Sequence, residues 1–456
     1  MRQTAAQRIK GKTDADSETD LYPFFLCRSG GSFIPPGGLW RYGGYDRVEI
    51  HMQKTGGRQM RKKVKRMTAL LLSGCLMISG LAGCGGTKKE DEKGSGQNAE
   101  AADETQKKGR ILTDMRGEEV EVPEDPQRVA ILDKGFLVQS MKALGVEDKI
   151  CATGGLITEV GDPEERDSLY LFPEIMELPI IGYPTDAVDF ETLAAADPDL
   201  VILRNSEYIK DSEVTADAIR KIEEDMKLPL FVINGPGCYE EAKLDYHYEG
   251  IELLGEIFGK EERAEEIISY MKEQVSMIQD RTKDIPEAEK PEVMYIGLRK
   301  DEGVGVVWGE NFGDAKFSTE YANIKNVYTE SERTNMSAEQ IITLDPDVMI
   351  LCTNSVRPDP DILSEDPAYA NLQNVSAVKN GRVTSVGLLT WWGDFRLEFP
   401  TILLIAAKSA YPERFADVQV GEWLNEYHKT LYGLTDEEAQ KIKEIQQLDW
   451  MDARGF

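Results

Sequence analysis

At 456 residues the chain is long enough for two or three units with cores of their own, so it needs no disulfide or metal staple to fold. Its 82 Asp+Glu against 53 Lys+Arg give a formal net charge of −29, and setting aside the 14 Lys+Arg and 6 Asp+Glu of residues 1–84 leaves 39 against 76, a net of −37. That acidity argues against nucleic acid and anionic lipid as partners of the soluble part.

Residues 1–59 are rich in Gly, Arg and aromatic residues without period and read as a leader upstream of the true start. Lys54 to Gln59 can be encoded by the purine-rich run of a ribosome-binding site just before Met60. From Met60 the order changes to that of an export signal, with Arg61, Lys62, Lys63, Lys65 and Arg66 as a basic head and Met67 to Leu81 as an uncharged, mostly apolar stretch. The stretch is too short and wrongly flanked for a stable membrane span. It ends in Leu81, Ala82, Gly83, Cys84, which resembles the lipobox of bacterial lipoproteins, in which the cysteine thiol takes a diacylglyceryl group and the peptide is cut before it. Residues 60–83 are then a signal peptide, and Cys84 is the lipidated first residue, held by two acyl chains where one would bind only marginally. Residues 84–109 carry Gly, Lys, Glu, Asp, Ser, Gln and Ala with almost nothing apolar, the composition of a flexible tether. The six cysteines, at 27, 75, 84, 151, 238 and 352, have no short regular spacing, so neither a disulfide framework nor a zinc ribbon is read from them.

From Ile111 short β-branched runs alternate with amphipathic segments, which predicts an α/β fold with parallel strands. Strands are expected at Val129–Leu132, Leu200–Leu203, Leu230–Ile233, Val293–Ile296, Val348–Leu351 and Val383–Val386. Glu191 opens a segment that runs through Asp197, Pro198 and Asp199 into Leu200, and Glu339 opens another through Asp345, Pro346 and Asp347 into Val348, at a constant offset of 148. Both copies describe an N-cap (Asp189, Ser337), a short helix, a stop at Asp-Pro and a buried parallel strand, and Gln340 completes a capping box with Ser337. Two copies one lobe apart predict two similar lobes, 110–244 and 286–456. Between them Asp245 to Asp284 is the longest helical pattern, with Ile267, Ile268, Met271, Val275 and Ile278 apolar and an interruption expected at Gly259. A helix of ~25 residues spans roughly 37 Å, so 245–285 reads as a rigid bridge that limits lobe closure.

The opening residues Asp114, Gly117, Val120, Val122, Pro123, Pro126, Arg128 and Val129, the helix end Leu144-Gly145-Val146 and the paired Glu-to-Asp-Pro-Asp segments together resemble the helix-bridged periplasmic binding proteins for siderophores, haem and cobalamin. The resemblance covers residues 110–456. It implies two Rossmann-like lobes joined by a long bridging α-helix, a ligand cleft between the lobes and an ABC permease with its ATPase as partners. It further implies that one acid per lobe, here Glu191 and Glu339, meets arginines on the permease halves. The bland account of these acids is that a carboxylate in a first helical turn complements the macrodipole.

In open α/β sheets ligands sit at the carboxyl ends of the strands, so the loops there are the expected site. On the first lobe they carry Asp133, Lys134, Gly182, Tyr183, Arg204, Asn205 and the run Asn234 to Tyr239; on the second, Gly297, Arg299, Trp308, Gly309, Thr353, Asn354, Thr390, Trp391 and Trp392. Tyr183, Arg204, Tyr239, Arg299, Trp308, Trp391 and Trp392 are the expected ligand contacts, because aromatic faces and forked guanidinium donors suit an anionic or planar chelate. Each has a competing role: a Trp near a strand end is often core packing, and an Arg on an acidic surface often only neutralises it. Cys238 and Cys352 read as small buried hydrophobes.

Only three histidines occur, with His51 in the leader and His247 and His428 in helical patterns, so metal ligation is poorly supported; Tyr183 and Tyr239 remain as iron-coordinating candidates. No Walker motif, Gly-x-Ser-x-Gly elbow or His-Glu-x-x-His is present, and catalysis has no case in the sequence. The leading expectation is a monomeric, lipid-anchored binding protein on the extracytoplasmic face of the membrane, without a cofactor of its own, that carries an iron siderophore or corrinoid. Haem binding, ligand sensing without transport, and a metal-cofactor enzyme of related fold are the alternatives. Cys84→Ala is expected to block acylation and signal cleavage together, read as loss of palmitate labelling and a full-length precursor on membrane fractionation; normal processing would refute the lipobox.

Overall fold

The computed structural model describes residues 109–133, 135–154, 166–184, 187–299, 304–353, 356–389 and 396–456. Cys84, Lys134, Asn354, Thr390, Trp391 and Trp392 lie outside the described residues, as do the leader, the signal peptide and almost all of the tether.

The first described element is a hairpin of β1 (Arg110–Thr113) and β2 (Glu119–Val122), whose alternating exposure is that of a strand pair with one face on the core. Its turn is held by Asp114: one carboxylate oxygen accepts from the Arg116 amide at 2.8 Å, and the other from the Val232 amide at 3.1 Å. The opening motif therefore ties the hairpin to the first lobe. That lobe is a four-stranded parallel sheet in the order β4-β3-β5-β6, built from β3 (Val129–Leu132), β4 (Ile150–Thr153), β5 (Leu200–Asn205) and β6 (Leu230–Asn234). The strands read as continuous apolar runs because both faces are covered. Among its helices are α1 (Phe136–Leu144), α2 (Asp167–Leu171), α3 (Phe190–Ala196) and α4 (Glu213–Arg220). On the outer face Ala130, Leu132, Val201, Leu203 and Val232 form a local core with Leu193 and Ala218.

The connection between lobes is α5 (Asp245–Phe258) and α6 (Glu261–Thr282), broken where Gly259 adopts φ 62° as a left-handed C-cap. Ala264, Ile267, Met271, Val275, Ile278 and Thr282 recur every three or four residues and are buried, which fixes the inward face of α6 over a length of about 33 Å.

The second lobe uses β7 (Glu292–Arg299), β8 (Val304–Val307), α7 (Gly313–Tyr321), β9 (Lys325–Asn326), β10 (Thr334–Met336), α8 (Ala338–Leu344), β11 (Val348–Cys352), α9 (Ile362–Glu365), α10 (Ser376–Lys379) and β12 (Val383–Ser385). Its sheet runs β10-β8-β7-β11-β12, with β9 beside β7. β7, β11 and β12 are parallel, but β8 runs antiparallel to β7 and β10 antiparallel to β8. The second lobe thus carries a hairpin extension that the parallel pattern did not predict. Four helices close the chain: α11 (Phe399–Ala410), α12 (Val420–Tyr432), α13 (Asp436–Ile445) and α14 (Trp450–Arg454). They do not stay on the second lobe, since α11 packs on α6, α12 reaches α1, and α13 reaches α2. One apolar core therefore runs from the inner face of the first sheet (Val129, Ile131, Ile202, Phe231) through α6 and α11 to the inner face of the second (Val293, Tyr295, Val348, Ile350).

The sequence echo is a backbone clasp made twice. Asp197 and Asp345 end their helices in the left-handed region at φ 48° and 45°. Two residues on, Asp199 donates its amide to the Arg128 carbonyl at 2.8 Å and accepts from the Gln127 amide through its carboxylate at 2.8 Å. Asp347 does the same to Glu292, at 2.8 Å to the carbonyl and 3.0 Å from the amide. Each clasp locks the start of the central strand to the start of its neighbour. Met271→Ala, which empties the buried centre of the α6 stripe, should cost about 2–5 kcal/mol in urea unfolding, whereas exposed Glu265→Ala should stay within about 0.5 kcal/mol.

Candidate ligand-binding site

The carboxyl ends of β3, β5 and β6 bring three groups together on the first lobe. Asp133 is buried at the end of β3, and its Oδ2 accepts from the amides of Gly135 (2.9 Å), Leu137 (2.8 Å) and Val138 (3.3 Å). Its carboxylate thus caps the N-terminus of α1, where the helix dipole favours negative charge.

Arg204, expected as a ligand contact at the end of β5, is 1% exposed. Its guanidinium lies 3.9 Å above the Phe136 ring and its Nη1 donates to the Asn234 carbonyl at 3.0 Å. The space for it exists because position 250 on α5 is glycine: a Cβ there would stand 3.4 Å from Nη1 and 2.9 Å from Ile233. Tyr183 is turned inward as well, its hydroxyl donating to the Arg204 carbonyl at 3.0 Å. Both residues are layers of the core beneath the strand ends, which corrects the expectation that they line the cleft.

Tyr239 is the aromatic group that remains at this rim. It is half-buried and stacked on Tyr246 at 3.6 Å between centroids and 14° between planes, and its hydroxyl accepts from Asn234 Nδ2 at 3.4 Å. Burial pushes its phenol pKa up, so it stays neutral at physiological pH.

On the second lobe Arg299 stands half-buried at the carboxyl end of β7, with its carbonyl accepting from the Tyr369 hydroxyl at 3.3 Å. Trp308 is elsewhere. It follows β8, which is antiparallel, so it pairs back toward Tyr295 at the middle of β7 instead of emerging with the parallel strand ends. It stacks on Tyr295 at 6.4 Å and 7° and meets Phe312 edge-on at 5.7 Å, within the core. The direction of β8, which the sequence did not reveal, removes it from the expected cleft.

Glu191 and Glu339 occupy the second position of α3 and α8, both exposed. The capping acceptors before them are in place: Asp189 receives the amides of Glu191 and Thr192, and Ser337 forms a complete capping box with Gln340. Glu339's carboxyl is held below the usual range by its own amide and the Ser337 hydroxyl. Neither His247 nor His428 is at the strand ends. His247 is enclosed edge-on by Phe136 at 5.1 Å and Phe399 at 5.2 Å, and burial keeps its imidazole neutral. Among the described residues no group of three or more His, Cys, Asp or Glu could hold a metal ion, and no helix is long and apolar enough to cross a membrane.

A cluster that sequence reasoning missed lies where the lobes meet. Arg396 Nη1 donates to both oxygens of Asp167 at 3.1 and 3.0 Å, with both side chains buried. Gln446 and Gln139 also donate to Asp167, at 3.0 and 3.4 Å. Gln139 reaches Glu398 at 3.4 Å, and the Tyr432 hydroxyl donates to Glu398 at 2.6 Å. Burial opposes the Asp167 charge, but Arg396 and the Gln446 hydrogen bond outweigh it and hold the carboxyl below the usual range. Glu398, with burial and the Asp167 charge against it, is pushed up to about 7. The cluster touches the expected site, because a Cβ on Gly135 at the β3–α1 turn would lie 3.7 Å from Arg396 Nε. Arg396 and Asp167 are separated by 229 positions, and no local pattern marks such a pair.

Comparison with known proteins places this geometry. A family model described as "Periplasmic binding protein" matches residues 129–387, which spans both central sheets and the bridge. The ABC transporter substrate-binding lipoprotein YvrC of Bacillus subtilis, itself uncharacterized, is 25% identical over 361 residues, covering 78% of this chain and 100% of YvrC. The molybdate-binding protein MolA of Haemophilus influenzae is 25% identical over 343 residues, 71% of this chain and 91% of MolA. Its molybdate-bound structure shares the fold with a TM-score of 0.56 and 22% identity, over 72% of this chain and 98% of that one. The Fe(3+)-citrate-binding protein YfmC of B. subtilis is 23% identical over 344 residues, 73% of this chain and 92% of YfmC. Two lobes with parallel strand ends, a helical bridge and these relatives lead to one assignment: the chain belongs to the periplasmic binding protein family, as the substrate-binding protein of an ABC importer.

Proposed function

We propose that this protein is a lipid-anchored receptor for an anionic metal chelate, an iron siderophore or citrate-type complex ahead of a corrinoid, which it hands to its permease. What supports this reading is that each lobe has a fitting group at a strand end, the Arg299 guanidinium after β7 and the Tyr239–Tyr246 stack after β6. A guanidinium takes carboxylate or catecholate oxygens as a fork, and stacked rings offer a rigid apolar face. YfmC, named for ferric citrate, is in accord with the chelate; MolA, named for molybdate, makes a small oxyanion the second reading. Trp391 and Trp392 keep their proposed ligand role on sequence grounds, and Cys84 its role as the anchor, which agrees with the lipoprotein name of YvrC.

A thermal-shift screen of the purified protein against ferric citrate, ferric siderophores, cobalamin, haem and molybdate separates these readings. A ligand that binds only the native state stabilises it by about 2.7 kcal/mol at a hundred times its Kd. A shift with a ferric chelate that weakens on Arg299→Gln supports the proposal. A shift with molybdate alone, or with haem alone, replaces it.

Glu191 and Glu339 are proposed to dock the permease, one per lobe, since equivalent clasps and caps present them at equivalent positions. The double variant Glu191→Ala/Glu339→Ala should keep ligand affinity and melting temperature close to wild type while cellular uptake falls, further than in either single variant. Normal uptake at wild-type protein level would leave only the helix-dipole role of the two acids.

A further inference from the structure

Two carboxylates and one guanidinium are enclosed together between the lobes. Glu398 is 0% exposed at the start of α11. Its Oε1 accepts from Tyr432 on α12 and Gln139 on α1, and its Oε2 has no hydrogen-bond partner among the described residues. Asp167 on α2 shares the same Gln139 amide nitrogen, which lies 3.4 Å from each carboxylate. The charged and titratable groups around Glu398 come from every element packed there. Arg396, in its own segment, is engaged by Asp167. Tyr427 and Tyr432 on α12 are kept neutral by burial. His428 on α12 is driven down to about 4 by burial, so it brings no charge at neutral pH. Lys443 on α13 is committed to Asp452 at 2.7 Å and to the Gly421 carbonyl at 3.2 Å. Among the described residues, Arg396 is the cation hydrogen-bonded to this pair of acids, through Asp167. Although Arg396 also favours the Glu398 charge, burial and the Asp167 charge oppose that charge more strongly, so an ionised Glu398 is a second, disfavoured negative charge in a buried site.

We propose that Glu398 is a proton-responsive latch between the lobes: protonated, it keeps α1 and α2 of the first lobe closed on α11 and α12 of the second, and ionised, it loosens that contact. The latch stands on the lobe interface alone and does not depend on which ligand the cleft takes. Its working range follows from the environment. A carboxyl raised to about 7 from the ordinary 4.5 holds more protons in the folded than in the unfolded chain between those values. Its contribution to stability is complete at acidic pH and is lost as pH rises through that window. An importer receptor outside the cell is exposed to the pH of the surroundings, so the rigidity of its cleft would follow that pH.

The test uses the full chain purified in detergent, without ligand. Melting temperature is recorded from pH 5 to 8.5 for wild type and Glu398→Gln, which keeps the shape and cannot ionise. Hydrogen exchange in α1 and α12, corrected for intrinsic rates, is compared at pH 6 and pH 8. Wild type should lose melting temperature relative to the variant as pH rises, and its α1 and α12 amides should open at least threefold more at pH 8, while the variant shows no such rise. Tyr432→Phe removes a hydrogen bond that favours the ionised carboxylate, so its midpoint should move to higher pH, and it serves as the second probe should Glu398→Gln not fold. A purely structural role for Glu398 would shift the whole melting curve equally at every pH. Parallel profiles for wild type and Glu398→Gln, or a Tyr432→Phe midpoint that does not move, would overturn the latch, whatever the ligand screen finds.

Discussion

The apolar stripe of α6 is the constraint on which the rest of this protein depends. Ile267, Met271, Val275 and Ile278 are buried against helices from both halves of the chain, and the core they join runs unbroken from one sheet to the other. Fully burying a side chain of this kind is worth about 1.5–3 kcal/mol. Parting the lobes widely would expose several of them at once, far more than the differential affinity of a ligand normally supplies. A two-lobed receptor built this way must recognise its cargo with a nearly preformed cleft.

Within that apolar core lies a small polar island of Asp167, Arg396, Glu398, Gln139 and Gln446. A buried ion pair adds little stability over a well-packed apolar substitute, but breaking one partner away is costly. The island therefore fixes how the lobes meet more than it strengthens them. Its place beside the β3–α1 turn couples it to the site: Arg396 abuts Gly135, and Asp133 organises the same turn from the other side by capping α1. Arg204, laid on Phe136 under the end of β5, is a second buried cation in the same floor.

The repeated Asp-Pro-Asp clasp does for each sheet what the bridge does for the pair. By pinning the start of the central strand to its neighbour, it sets the height of the preceding short helix and so the level at which Glu191 and Glu339 stand. Two independent backbone solutions with the same dihedral angles, at Asp197 and Asp345, show that the lobes share geometry at this point and not only sequence.

Features carried by neighbours in the chain were legible before the fold was. The helix stops at Asp197 and Asp345, the caps at Asp189 and Ser337, the break at Gly259 and the buried face of α6 all follow from residues within a few positions of one another, where dihedral preferences and 3.6-residue periodicity act, whereas the clasps that Asp199 and Asp347 make reach 72 and 55 positions along the chain. The strands at Val129, Leu200, Leu230, Val293 and Val348 were equally plain, because burial on both faces leaves an apolar run that no turn or helix matches. The site was less legible. Trp308, Tyr183 and Arg204 were sought at the rim because they follow strands, but sequence gives neither strand direction nor which face a terminal side chain takes. The antiparallel β8 sent the first into the core, and pairing with Phe136 and the Arg204 carbonyl drew in the others. The polar island was invisible for a deeper reason. Asp167 and Arg396 acquire their meaning only when two lobes close on each other, and a contact across 229 positions leaves no trace in the spacing of either residue.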